Sequence, residues 1–246
     1  MKVIIPLQTC STRVPKKNII PFYNGKSLFD IKIEQLLNSG IKPETIYISS
    51  EAQEVKSMCD EKGVNFLLRD KRLTGNEIKQ PELIGGILND INKNSNDNDD
   101  IMWVQVTNPL FNEFSCMINE WESIRNEFDS MVAVKKYKGH LIDASGNPLN
   151  YSFGYWHKVS QNLPSWYEVL WSCFILKRET IETYKYHIGV NPYLYVSNTA
   201  TVDIDTVDDF QLAAEIYSIR KNMRKITVIN FKITVIKCSA ARIINS

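Results

Sequence analysis

The chain predicts an α/β fold: a mostly parallel sheet with helices on both faces and a small aromatic-rich insert. Three observations carry that expectation. Short apolar runs alternate with stretches of helical periodicity from residue 2 to about residue 134. Two of those stretches stop at Gly40 and Gly63, where helix C-termini favour glycine. The alternation then pauses for a long aromatic segment and resumes at Val169.

The elements follow in order. Lys2–Leu7 reads as a buried strand that ends in a polar loop. Leu28–Asn38 reads as a helix whose apolar positions are Leu28, Ile31, Ile33, Leu36 and Leu37. Thr45–Ser49 is expected as the second strand, Glu51–Lys62 as the second helix and Val64–Leu68 as the third strand. Pro81–Asn92 is helical in pattern and precedes the polar loop Asn94–Asp100. Ile101–Val106, Asn112–Phe128 and Ser130–Val134 continue as strand, helix and strand, and Val207–Arg220 closes the pattern as a helix. Helices of this length between strands imply crossovers and parallel pairing.

The stretch from about Lys135 to Glu168 breaks the rhythm. It holds Gly139, Gly146, Pro148, Gly154 and Pro164 among Tyr137, Tyr151, Phe153, Tyr155, Trp156, Trp166 and Tyr167. A segment this long inside a compact domain carries function or its own structure. A hairpin-containing flap is expected, with rings buried against substrate, a second subunit or the domain itself. Residues 1–222 are expected to form one domain. The extension 223–246 is basic, with no acidic residue and a β-branched run at Ile226–Ile236.

Composition narrows the function classes. In 246 residues, 43% are hydrophobic and 23% charged, which is ordinary for a globular protein. A formal charge of +1 leaves no electrostatic footprint for nucleic acid. Cys10, Cys59, Cys116, Cys173 and Cys238 are scattered without metal-ligand spacing, so they read as reduced thiols. The apolar run Val3–Ile5 is too short for a signal peptide or a membrane span, so the cytoplasm is the expected compartment and no membrane insertion is expected. His140, His157 and His187 are isolated and read as surface or packing residues.

Two segments carry chemistry. In Val202–Thr206, Asp203 and Asp205 share one face of an extended chain, with Ile204 on the other. Paired carboxylates suit a hard divalent ion such as Mg²⁺, which takes one or two carboxylates plus substrate phosphates. The loop Gln8–Asn18 follows the first strand, where open α/β sheets bind ligands, and offers Arg13, Lys16 and Lys17 to phosphates.

The two segments belong to an ordered series. Ile5-Pro6 is followed by Ser11, then Pro15, Lys17-Asn18-Ile19 and Asn24-Gly25-Lys26-Ser27-Leu28. Ile46–Glu51, Val104–Leu110 and Val202–Thr206 with Asp208, Asp209 and Phe210 complete it. This order resembles the acylneuraminate and 3-deoxy-manno-octulosonate cytidylyltransferases over about residues 3–220. Those open I-P-A-R-G-G-S-K-x-x-P-x-K-N-I and carry I-V-S-T-D, L-Q-P-T-S-P-L and V-D-I-D-T-x-x-D-F.

The resemblance implies a Rossmann-like nucleotidyltransferase fold and a homodimer. It implies transfer of CMP from CTP to a 2-keto sugar acid for surface-glycan synthesis, with pyrophosphate released. Carried over by position, Lys17, Asp203 and Asp205 would be catalytic, and Asp203 and Asp205 would hold Mg²⁺. Gln8, Ser11, Arg13, Lys17, Asn18 and Arg69 would bind nucleotide; Gln105 and Thr107 would face the sugar.

The chain also departs from the pattern. Gln8 stands where the family has arginine, Thr9 and Cys10 replace small residues, and Thr12 stands where lysine is common. Phe111 replaces an arginine, and Leu170-Trp171 occupy the place of an asparagine-glycine pair. Transfer to another sugar or from another nucleotide, and nucleotide binding without turnover, are the alternatives these departures leave open.

Overall fold

The computed structural model describes residues 1–75, 77–93 and 98–223. The expectations for Ile226–Ile236, for Cys238 and for the extension beyond Met223 lie outside these residues. The described strands are β1 (Lys2–Pro6), β2 (Pro21–Tyr23), β3 (Lys26–Ser27), β4 (Ile46–Ser50), β5 (Asn65–Leu68), β6 (Ile101–Val104), β7 (Ser130–Tyr137), β8 (Trp166–Leu176) and β9 (Pro192–Val196). The helices are α1 (Leu28–Asn38), α2 (Glu54–Lys62), α3 (Gln80–Asn92), α4 (Phe114–Ile124), α5 (Arg178–Tyr184) and α6, residues 207–223.

One seven-stranded sheet has the order β5-β4-β1-β6-β8-β7-β9, and β2 pairs with β3 in a separate hairpin. The pairs β5–β4, β4–β1, β1–β6 and β7–β9 are parallel. β8 runs antiparallel to both of its neighbours. A mostly parallel α/β sheet is therefore present, with one reversed strand that the helix–strand rhythm did not announce.

Pleat alternation divides the core. Val3, Ile5, Met102, Val104, Cys173 and Ile175 pack against α1, α2, α4 and α6. Ile4, Ile101, Trp103, Phe174 and Leu176 pack on the opposite face, against Ile84, Ile87, Leu88 and Ile91 of α3 and Ile181 of α5. Both sheet faces are thus covered, which is why the central strands read as unbroken apolar runs.

Local chemistry sets the helix ends. Ser27 caps α1: its hydroxyl accepts from Asp30 N–H at 3.1 Å, while Asp30 Oδ2 accepts from Ser27 N–H at 3.0 Å. Gly40 follows the C-cap Ser39 with φ of +86°, a conformation that favours glycine.

The aromatic segment differs from the expected boundaries. β7 continues to Tyr137 and β8 begins at Trp166, so Lys135, Lys136 and Tyr137 pair with Glu168, Tyr167 and Trp166. Charged and aromatic side chains alternate there without an apolar face, so no strand signal reached the sequence. Residues 138–165 carry two short 3-10 turns and one bridge, Ile142 to Pro148. Tyr155 is 91% exposed and Trp156 73%.

The strand β9 and the helix α5 were also unannounced. β9 starts at a proline on the sheet edge, and Tyr193 and Tyr195 donate their hydroxyls to Glu120 and Glu113.

On the α3/α5 face His187 is fully buried, and neither ring nitrogen has a partner among the described residues. It lies 5.0 Å from both the Trp103 and Phe174 rings, centroid to centroid. Burial pushes its pKa down to about 4. The unfolded chain binds that proton near the ordinary value of 6.5, so it holds more protons than the folded chain between pH 6.5 and 4. Above pH 6.5 this proton linkage is silent, and stability falls as pH drops from 6.5 toward 4, by up to about 3 kcal/mol. His187→Phe should stay within about 1.5 kcal/mol of the parent at pH 7 and flatten this acid limb. Urea midpoints across pH 4–7 measure it; an unchanged slope would contradict the assignment.

Candidate active site

The sheet topology places the loop after β1 beside the ends of β4 and β6. Leu7 N–H donates to Ser49 O at 2.8 Å, holding the loop entrance against β4. The turn that follows is tight: Lys16 has φ of +53°, and Ile19 N–H donates to Lys16 O at 2.9 Å. Buried Val14 anchors the turn, and Ser11 Oγ accepts from Val14 N–H at 3.4 Å. Asn18 closes the loop mouth by donating Nδ2–H to Gln8 O at 2.9 Å.

This turn directs Lys17 inward, where it is only 8% exposed. Its ammonium donates to Ile204 O and lies 3.5 Å from Asp205 Oδ1. Arg13, on the solvent side, pairs with the same oxygen at 2.8 Å. Asp205 Oδ2 has no hydrogen-bond partner among the described residues. Lys16 points elsewhere and pairs with Glu54 at 2.9 Å.

Residues 201–205 run extended without joining a sheet ladder. The alternation still holds because Ile204 is fully buried in the core and its N–H donates to Thr107 O at 2.9 Å. Asp203 hydrogen-bonds the Thr107 side chain. Partial loss of hydration raises the Asp203 carboxyl above its ordinary range; the Thr107 hydrogen bond opposes the shift, and the Asp205 charge adds to it. Asp203 and Asp205 therefore form a close acidic pair, and Lys17 and Arg13 bring two positive charges against its two negative ones.

A reciprocal cap fixes the pair from below. Thr206 precedes α6, and its Oγ1 accepts from Asp209 N–H at 3.2 Å. Asp209 Oδ2 accepts from Asp205 N–H at 3.1 Å and from Thr206 N–H at 2.8 Å. The Thr206 hydroxyl, the Thr206 N–H and the Asp205 N–H together hold the Asp209 carboxyl below its ordinary range. The spacing Thr206–Asp209 is a capping-box signature that was legible in the sequence.

The other candidate residues separate into two groups. Arg69 is buried and bound by protein: it donates to Ser49 O at 3.2 Å and Leu7 O at 3.3 Å, and pairs with Glu51 at 2.9 Å. Glu51 also accepts from Thr9 N–H at 2.7 Å and Thr9 Oγ1–H at 3.0 Å. Arg69 and Glu51 thus brace the start of the loop, a role that sequence reasoning missed for Glu51 and Thr9. Gln105 makes no hydrogen bond with the Lys17 cluster among the described residues; its N–H donates to Ser172 O at 3.0 Å, tying the end of β6 to β8.

The sequence pattern of the family described as Cytidylyltransferase matches residues 2–136. An N-acylneuraminate cytidylyltransferase of Streptococcus agalactiae serotype III (strain NEM316) is 25% identical over 221 residues, covering 84% of this chain and 51% of the relative. The chain thus spans about half the length of the streptococcal relatives it matches. A pseudaminic acid cytidylyltransferase of Campylobacter jejuni (strain NCTC 11168) is 24% identical over 228 residues, covering 88% of this chain and 95% of the relative.

Among solved structures, the CMP:2-keto-3-deoxy-manno-octonic acid synthetase complexed with CTP superposes with a TM-score of 0.62. Its sequence is 11% identical, and the match covers 89% of this chain and 98% of that one. HddC from Yersinia pseudotuberculosis gives a TM-score of 0.56 at 15% identity, covering 88% and 99%. At these identities the likeness is one of fold.

The cap makes a direct prediction. Thr206→Ala should lose about 1 kcal/mol of stability, within the 0.5–2 range of N-caps, measured by urea denaturation. Thr206→Ser should restore most of it. Equal losses in the two variants would show that the hydroxyl is not the capping group.

Proposed function

The chain belongs to the cytidylyltransferase family, and on that premise we propose that it transfers CMP from CTP to a 2-keto sugar acid, releasing pyrophosphate. The observation that carries the reading is the meeting of Lys17 and Asp205 across 188 residues of chain. A cation aimed at phosphate and a carboxylate able to hold a metal converge at one point.

The chemistry asks for positioning and charge stabilisation more than covalent help. A sugar hydroxyl attacks the α-phosphorus, the bond to the β-phosphate oxygen breaks, and pyrophosphate leaves. Lys17 is proposed to stabilise charge developing on the α-phosphoryl oxygens. Its burial strengthens that interaction, because water screens it little. Arg13, exposed at the rim, is proposed to take the departing pyrophosphate, exchanging Asp205 for phosphate oxygen. Ser11, Asn18 and Gln8 would complete the nucleotide loop. Arg69 would act on the nucleotide through the braced loop, since its two terminal nitrogens are bonded to protein carbonyls and Glu51. Gln105 and Thr107 would meet the acceptor.

The donor set fits a hard divalent cation. Asp203 and Asp205 offer carboxylate oxygens, and Asp205 Oδ2 is unengaged among the described residues. No cluster of three or more metal-binding side chains occurs among those residues. That suits Mg²⁺, which completes its octahedron with water and phosphate. Asp203 and Asp205 would hold it, and bound there it would neutralise charge on the phosphates. One of the two carboxylates would accept the sugar hydroxyl proton.

The departures at Gln8, Thr9, Cys10 and Thr12 bear on affinity. Each missing charge-assisted contact to phosphate is worth about 1.5–3 kcal/mol. Thr9 is committed to Glu51, so it shapes the loop rather than opening it as glycine would. We also propose a second copy of the chain as partner and the cytoplasm as the working compartment. The exposed rings of residues 153–156 and of Trp166, Tyr167 and Trp171 offer the apolar surface for such a dimer. No described helix is long and apolar enough to cross a membrane.

Purified protein with CTP, Mg²⁺ and a panel of 2-keto sugar acids should release pyrophosphate, and Lys17→Met and Asp205→Asn should each lower kcat about a hundredfold or more. Release with a different nucleotide or acceptor would redirect the substrate assignment. Nucleotide binding without release under any combination would replace transfer by binding. Light scattering should give twice the chain mass at micromolar concentration; the monomer mass would remove the dimer.

A further inference from the structure

Helix α1 carries a lysine where its apolar stripe demands a hydrocarbon. Lys32 lies four residues after Leu28 and four before Leu36, both fully buried, and is itself 0% exposed. Its ammonium donates to Asn108 O at 2.9 Å and Phe111 O at 3.3 Å, and stands 5.1 Å from the centre of the Phe114 ring. One turn along the helix, Gln35 Nε2–H donates to Pro109 O at 2.7 Å. No carboxylate pairs with Lys32 among the described residues. The nearby titratable group is Cys173, whose thiol burial pushes up, and burial pushes Lys32 down to about 7.

A methionine would fill this space without the cost of burying an ammonium. What the lysine adds is donors for carbonyls in the turn after β6, a turn that the acidic pair leans on. Thr107 O accepts from Ile204 N–H at 2.9 Å, and the Thr107 side chain bonds Asp203. At the other end of α1, Phe29 N–H donates to Asn18 O at 3.0 Å, so the same helix also holds the phosphate loop.

We propose that Lys32 is a positioning residue for the acidic pair: it fixes the 107–111 turn, and through Thr107 that turn sets Asp203 and Ile204 in register with Lys17. Lys32 touches no reacting atom. The proposal builds on the cytidylyl-transfer reading for its meaning, but its physical content is a coupling between two segments that can be read without substrate.

Hydrogen exchange by mass spectrometry on the full chain tests it, with Lys32→Met, Gln35→Leu and a distant core variant, Ile181→Val, as the stability control. Lys32→Met should speed exchange about tenfold or more in both 107–111 and 202–206, while 2–6 and 46–50 keep parental rates. Gln35→Leu should give the same pattern more weakly, and it decides the matter if Lys32→Met does not fold. In turnover assays the Mg²⁺ concentration at half-maximal rate should rise severalfold in Lys32→Met and stay unchanged in Ile181→Val. Faster exchange confined to 107–111, or spread evenly over the chain as in the control, would overturn the proposal. Because exchange is read on the protein alone, an inactive parent would defeat the transferase reading and leave this result standing.

Discussion

A buried ammonium has to find oxygen, and the way Lys17 does so organises this molecule. The left-handed turn at Lys16 drives the next side chain beneath the loop after β1, away from water. The oxygens waiting there belong to Ile204 and Asp205, near the other end of the described chain. For them to be present, β1 must be central, Ile204 must be seated in the core, and the 107–111 turn must receive the Ile204 N–H. Sheet order, core packing and loop anchoring are thus conditions for one charge contact. An ammonium left at this depth without these partners would pull the loop open to reach water.

The same contact gives the cleft its chemical readiness. Lys17 and Arg13 converge on one oxygen of Asp205, so the site without ligands is nearly neutralised at that atom. The exposed member, Arg13, is the one that water already screens, so its pairing is cheap to break. Under the proposed transferase reading, a triphosphate entering from solvent would take Arg13 and free Asp205 for a cation, while buried Lys17 stays in place. Such partner exchange lets a preorganised site meet a highly charged ligand without large rearrangement. The Arg69–Glu51–Thr9 brace keeps the loop entrance fixed while this happens.

Much of this was legible before any coordinates. Val3–Ile5, Ile101–Val104 and the stripe Leu28, Ile31, Leu36 read as buried elements because both sheet faces are covered. Asp203 and Asp205 were singled out by their spacing on an extended chain together with the ordered motifs that resemble the family, and Ile204 between them is indeed core. Other features left no local trace. The reversal of β8 is a property of its neighbours, since an apolar strand reads alike in both directions. The β7–β8 ribbon beyond the sheet has no apolar face, so its strands looked like loop. Glu51, Thr9 and Lys32 act through partners tens of residues away, and a lysine in an apolar stripe signals burial without naming the carbonyls it meets. Only Thr206 and Asp209 carried a local signature, the capping box.

The account stands on Lys17 and Asp205 acting as one unit. A double-mutant cycle with Lys17→Met, Asp205→Asn and the double variant, read in the single-turnover rate of pyrophosphate release from CTP, measures that unity most directly. The account predicts strong non-additivity, with a coupling of about 1–3 kcal/mol and a double variant hardly slower than the worse single one. Losses that add to within about 0.5 kcal/mol would mean two independent groups, and the central contact would be an accident of packing.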